Sequence, residues 1–107
     1  MKSPAAGGDS GSSTPDVGES VVALRCEGKS FAVIAKAVGL DKSLDAFEVF
    51  VNTIATRPSR ERAKMRADEN RRLDVLERRN SAVADETERK RRQASLKKLR
   101  ARLIAIA

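Results

Sequence analysis

The sequence predicts an all-α protein, and three observations support that prediction. Apolar residues are dense between residues 21 and 56, at 21 of 36, and they recur at the spacing of amphipathic helices. Residues 57–107 are dominated by helix formers such as Glu, Arg, Lys, Ala and Leu. Cap-forming and turn-forming residues divide the chain into helix-length segments. We predict a disordered tail at residues 1–16, a trihelical domain at 17–57 and a basic helical extension at 58–107.

The N-terminal tail is poor in side chains that could form a core. Gly, Ser, Pro and Thr account for 12 of the first 20 residues. Such a segment cannot offset the conformational entropy that it would lose on ordering. We therefore expect residues 1–16 to be disordered.

The first helix is predicted from its two ends. Asp16, with Glu19 three residues later, resembles a capping box, and Gly28 provides a left-handed turn at the other end. Cys26 falls on the apolar face between them. We expect its thiol to be buried as a small hydrophobic group.

The second and third helices follow in the same way. Ser30 is a natural N-cap for a helix over residues 31–38, and Gly39 permits a tight turn with positive φ. A third helix is predicted over residues 44–56. Its inward-facing residues are Phe47, Phe50, Val51 and Ile54.

The run from Glu27 to Leu40 reads EGKSFAVIAKAVGL. It resembles the E-G-x-S-x-x-x-I-A-x-x-L-G-L pattern of bacterial helix-turn-helix DNA-binding domains. A second, looser similarity is to small actinobacterial and phage proteins of the terminase-small-subunit type, in which a helix-turn-helix precedes long helices. It rests on the Arg57-Pro58 step and on R-x-x-E-x-x-R-L-D-x-L from Arg66 to Leu76.

The helix-turn-helix resemblance implies binding to double-stranded DNA. Under this hypothesis Lys29, Ser30 and Lys36 contact phosphates. The residues that face the DNA groove are Lys42, Ser43 and Asn52. The residues that grip the flanking DNA backbone are Arg57, Arg60, Arg62 and Arg66. The third helix also carries Asp45 and Glu48, which phosphate would repel. The alternative is therefore a protein-interaction module that docks on a polymerase, a packaging machine or another regulator.

Two further helices are predicted in the extension. One covers residues 59–79, Asn80-Ser81 forms a break, and the next begins near Asp85. The second carries a short apolar seam of Leu96, Leu99, Leu103 and Ile106. Either it folds back as an αα-hairpin, with Leu96 and Leu99 meeting Leu73 and Leu76, or the seam pairs with a second copy. We expect a homodimer and retain both arrangements.

The net charge of +7 is concentrated at one end of the chain. Residues 57–107 hold 17 Lys and Arg against 8 Asp and Glu, a net of +9, and 13 of those cations are arginines. Guanidinium groups suit bidentate phosphate contacts, and no aromatic residue lies among them to stack on single-stranded bases. Local pairs such as Asp68 with Arg72 and Asp74 with Arg78 are expected to neutralise only part of the charge.

Composition also excludes several functions. Without His and with a single Cys, the chain offers no imidazole base, disulfide or thiolate cluster. We therefore expect no enzyme activity, cofactor or metal. No apolar run approaches the length of a membrane span, and we expect a cytoplasmic, nucleoid-associated transcriptional regulator or nucleoid protein.

Overall fold

The computed structural model describes residues 16–107, and the tail predicted at residues 1–16 lies outside them except for its last residue. The helices are α1 (Val17–Cys26), α2 (Phe31–Val38), α3 (Ser43–Ile54), α4 (Ser59–Ser81) and α5 (Glu86–Ala105). Residues 16–107 contain no β-strand, so the all-α prediction is confirmed for this part of the chain. The chain divides into two compact units, with the boundary between Thr53 and Ile54.

The predicted caps and turns of the first unit are confirmed. Asp16 precedes α1 and its Oδ1 accepts the N–H of the residue two positions on, at 2.9 Å. Ser30 precedes α2 and its Oγ accepts the N–H three positions on, at 3.2 Å. Gly28 and Gly39 have φ of 88° and 79°, a region that is costly for residues with a Cβ. These local contacts fix where α1 and α2 begin and end.

Three phenylalanine rings form the centre of the first unit. The Phe31 ring meets those of Phe47 and Phe50 edge-on, with centroids 5.4 and 5.6 Å apart. The Arg25 guanidinium covers Phe31 at 4.0 Å from the ring centroid and donates to the Lys29 carbonyl at 2.8 Å. The predicted inward-facing residues of α3 are all buried, together with others on the three helices: Val21, Val22, Ile34, Ala35 and Ala46.

The prediction for Cys26 is wrong, because its thiol is exposed. Val21 and Val22, in the middle of α1, supply the buried face. Cys26 is the last residue of α1, and the chain turns away at once toward Gly28. A position at the end of the helix therefore leaves this side chain in solvent.

The second unit contains an antiparallel αα-hairpin formed by α4 and α5. Its buried residues include Leu73, Leu96 and Leu103, whereas Leu76 is 44% exposed and Leu99 is half-buried. Of the four leucines expected to meet across the hairpin, only Leu73 and Leu96 are buried. The fold-back arrangement is thus present within a single chain.

The break predicted at Asn80-Ser81 is placed too early. Helix α4 continues to Ser81, and the non-helical connection covers residues 82–85. Asn80 is buried, and its Nδ2 donates to the Arg89 carbonyl at 2.9 Å, which joins α4 to α5. A side chain that usually interrupts helices is stabilised here by a bond across the hairpin.

The residues of the predicted dimer seam do not form one exposed surface. Leu96 and Leu103 are buried in the single chain, and Leu99 and Ile106 are half-buried. Dimerisation through these four residues stays a prediction. The hairpin itself already covers two of them.

Gly18 permits close packing between α1 and α3, and its replacement by Ala is expected to destabilise the protein. An added Cβ would lie 2.2 Å from Thr53 Oγ1, which donates to the Val49 carbonyl at 2.7 Å. We expect Gly18→Ala to lower the free energy of unfolding by about 1–3 kcal/mol, less the gain in helix propensity. Urea denaturation measures the change. A smaller loss is expected in a Thr53→Ala background, and equal losses in both backgrounds would contradict the steric explanation.

Candidate nucleic-acid interface

Many of the cations of α4 and α5 are held by carboxylates. Helical neighbours pair Arg71 with Asp68 and Arg72 with Glu69, both at i,i+3 spacing. The expected pair of Asp68 with Arg72 is therefore wrong, because Asp68 pairs with Arg71 and Lys64 instead. Cations with an ion pair include Lys64, Arg71, Arg72, Lys90, Arg91, Arg92 and Arg100.

Arg100 ties the two helices of the hairpin together. Its guanidinium donates to Asn70 Oδ1 at 3.1 Å, to Asp74 Oδ1 at 2.5 Å and to Glu77. The hydrogen bond from Arg100 lowers the pKa of Glu77, and the same contact raises the pKa of Arg100. Asp74 was expected to pair with Arg78, and that expectation is wrong because Asp74 pairs across the hairpin. Arg100 is therefore a structural residue of the hairpin.

Arg60, Arg62 and Arg66, at the start of α4, have no ion pair among residues 16–107. Arg60 is exposed, whereas Arg62 and Arg66 are half-buried one turn apart. Arg62 donates to the Arg57 carbonyl at 2.7 Å and so holds the turn that leads into α4. Arg66 Nε is buried and has no hydrogen-bond partner within the described chain. The predicted backbone-gripping residues are thus close together along the chain, but they are not equally accessible.

Further cations without an ion pair in the described part of the chain lie elsewhere on the hairpin. Lys97 and Lys98 are exposed on α5, and Arg78 and Arg79 are exposed near the end of α4. These four residues were outside the predicted site. Whether these cations are free to contact a ligand depends on which cations the acidic residues pair with. That pairing depends on the register of the hairpin.

The candidates in the first unit are on its surface. Ser30, Lys36 and Lys42 are exposed, as are Lys29, Ser43 and Asn52. The Ser30 oxygen already accepts the N–H that caps α2. The Lys29 carbonyl accepts from the Arg25 guanidinium and the Lys42 carbonyl from two backbone N–H groups of α3, and neither contact uses an ammonium group.

The outer face of α3 is acidic. Leu44 is 55% exposed, and Asp45, Glu48 and Asn52 follow it at positions one, four and eight residues on. On a helix these four residues occupy one side, opposite Phe47 and the other buried residues. Asn52, predicted to face a DNA groove, therefore shares its face with two carboxylates.

A groove of about 320 Å³ opens between α4 and α5 near the closed end of the hairpin. Leu76 and Leu96 form its apolar part, and its other lining residues are Arg79, Asn80, Arg91, Arg92 and Ser95. Asn80 Oδ1 is buried without a hydrogen-bond partner in the described structure. Spacing along the chain does not predict this groove, because residues 76–80 and 91–96 meet only through the register of the hairpin.

Comparisons of the chain with protein-family models, with curated proteins and with solved structures find no match. Among residues 16–107, no group of three or more His, Cys, Asp and Glu residues is arranged to hold a metal ion. No helix in the same range combines the length and apolar character needed to cross a bilayer.

Proposed function

We propose that the protein binds double-stranded DNA, chiefly through phosphate contacts made by the basic hairpin. The observation that carries this proposal is the cluster at the start of α4. Arg60, Arg62 and Arg66 have no ion pair within residues 16–107, although Glu61 lies among them. Cations whose charge is not cancelled by neighbours attract a polyanion most strongly.

The chemistry of the extension favours duplex DNA among polyanions. Arginine outnumbers lysine 13 to 4 in residues 57–107, and guanidinium groups bind phosphate oxygens in a bidentate manner. All three Phe residues lie before residue 51, so the basic region has no ring on which a single-stranded base could stack. Backbone contacts to a duplex need no such ring.

The trihelical unit has a smaller part in this proposal. Its resemblance to a helix-turn-helix domain assigns Lys42, Ser43 and Asn52 to the groove. Asp45 and Glu48, on the outer face of α3, oppose close approach to phosphate. We therefore propose DNA affinity with weak sequence preference, suited to a nucleoid-associated protein or a regulator that acts with a partner.

The test is the salt dependence of binding to a short duplex, measured by fluorescence anisotropy. Arg60→Gln/Arg66→Gln removes two cations of the cluster. Arg71→Gln/Lys90→Gln is the matched control, because it removes two exposed cations that are ion-paired. We expect the first variant to bind more weakly and to reduce the slope of log K against log salt by about 0.9 for each lost phosphate contact.

Two results would overturn the proposal of DNA binding through this cluster. One is the absence of binding by the wild-type chain at about 50 mM salt, where electrostatic binding is strongest. The other is an equal loss in both variants, because only net charge would then matter. Circular dichroism of each variant checks that the helices remain.

Base reading by α3 needs a separate measurement. We expect Lys42→Ala/Ser43→Ala/Asn52→Ala to weaken binding to all duplex sequences alike. A loss of preference between two duplexes of different sequence would instead show that α3 reads bases.

A second candidate function is protein docking, and one observation favours it. Leu44 is a large apolar side chain that is 55% exposed on the acidic face of α3. A protein partner with an apolar recess and cations at its edge would bury this leucine and pair with the carboxylates near it. If the wild-type chain does not bind DNA even at low salt, this candidate is the better explanation of the fold.

A further inference from the structure

The outer face of α3 combines an apolar side chain with negative charge. Leu44 is 55% exposed in the single chain, so nothing in the described structure covers it fully. Asp45 follows it, and Asp41 precedes it by three residues; both are exposed. A partner for this face needs an apolar recess with cations at its edge.

The groove between α4 and α5 has those two properties. Leu76, which is 44% exposed, supplies apolar surface, and Leu96, which is 7% exposed, adds a small part. Three arginines, Arg79, Arg91 and Arg92, are also among its lining residues. Arg91 and Arg92 share Glu88 as an ion-pair partner, so one carboxylate faces two cations and a positive excess remains.

We propose that the Leu44 face of one copy docks in this groove of a second copy. Leu44 would enter between Leu76 and Leu96, and Asp41 and Asp45 would meet the arginines at the edge. Every copy carries both halves of the contact, so two copies that pair reciprocally make it twice. The contact covers apolar surface and compensates charge at the same time.

A DNA phosphate is a poorer occupant of the same groove. Phosphate needs cations and donors, and it gains nothing from the apolar surface, which accounts for most of the exposed lining. The cations at the start of α4 are not part of the groove. Docking in the groove therefore does not use Arg60 and its neighbours.

The first test is the oligomeric state of the full chain, measured by sedimentation over a concentration series without DNA. We expect the wild type to form dimers and Leu44→Ser to weaken dimerisation by at least about tenfold, since both leucine contacts are lost. Val33→Ser is the matched control, because Val33 is 53% exposed on α2 and outside the proposed contact. It should dimerise like the wild type.

The second test exchanges the charges of the two surfaces. We expect Asp41→Lys/Asp45→Lys alone and Arg91→Glu/Arg92→Glu alone to remain monomeric, because like charges then face each other in each homodimer. An equimolar mixture should associate, because the charges are opposite in both contacts. Circular dichroism verifies that each variant is helical.

Each result bears on the proposal. It is overturned if the wild type stays monomeric, if Leu44→Ser dimerises normally, if Val33→Ser is equally impaired, or if the mixture of charge variants does not associate. Monomeric single variants that associate on mixing support it. That recovery also excludes misfolding as the cause of the monomeric state.

Discussion

Replacing Phe50 with Ala is expected to lower the free energy of unfolding by about 3–5 kcal/mol. Phe50 is 2% exposed, and its ring lies edge-on to Phe31 with centroids 5.6 Å apart. The substitution removes both the transfer free energy of the ring and its packing partners, and α3 cannot close the space without moving. A small domain has about 5–15 kcal/mol of stability in total, so the variant should be close to unfolding.

Urea denaturation followed by circular dichroism measures this loss. Val33→Ala, at an exposed apolar position on α2, is the control and should stay within about 0.5 kcal/mol of the wild type. A double-mutant cycle with Phe31→Ala isolates the ring contact, for which we expect about 0.5–1.5 kcal/mol. Equal losses in the Phe50 variant and the control would mean that the ring is not part of the core.

Replacing Leu103 with Ala should lower the free energy of unfolding by about 2–5 kcal/mol. Leu103 is 0% exposed in the last turns of α5. The sequence placed this residue on a dimer seam, but the structure buries it within one chain. The loss should therefore appear in the folding of the monomer.

The dependence on protein concentration separates those two roles. Substituting a residue of the monomer core lowers the free energy of unfolding equally at all protein concentrations. Substituting a residue that acts only in a dimer has an effect that depends on protein concentration, through mass action. Ile104→Ala is the neighbouring control, at a position that is 70% exposed, and it should cost less than about 0.5 kcal/mol. A loss confined to high protein concentration would restore the seam as the dimer interface.

The sequence predicts best those features that depend on near neighbours. The range of α2 and the caps at Asp16 and Ser30 follow from contacts between residues two or three positions apart. The same is true of the turn at Gly39, where the positive φ is a property of one residue. Helical spacing likewise identifies Phe47 and Phe50 as buried before any packing is known.

Features that depend on the register between helices are predicted poorly. Asp74 was assigned to a cation on its own helix, but Arg100, 26 residues away, reaches it across the hairpin. Asn80 looks like a helix breaker until the Arg89 carbonyl becomes available to it. The groove beside Leu76 depends on the same register. Residue spacing alone does not predict which cations are ion-paired. It therefore does not predict the candidate interface.

The hydrogen bonds across the hairpin also bear on how the second unit folds. The contact of Arg100 with Asn70 spans 30 residues of sequence, and that of Asn80 with Arg89 spans only 9. Closing such short loops costs little chain entropy, and helices with local contacts fold on a timescale of about microseconds to milliseconds. The bond between Asn80 and Arg89 lies next to the connection, where the two helices first meet. It is therefore suited to form early and to set the register in which the remaining contacts of α4 and α5 follow.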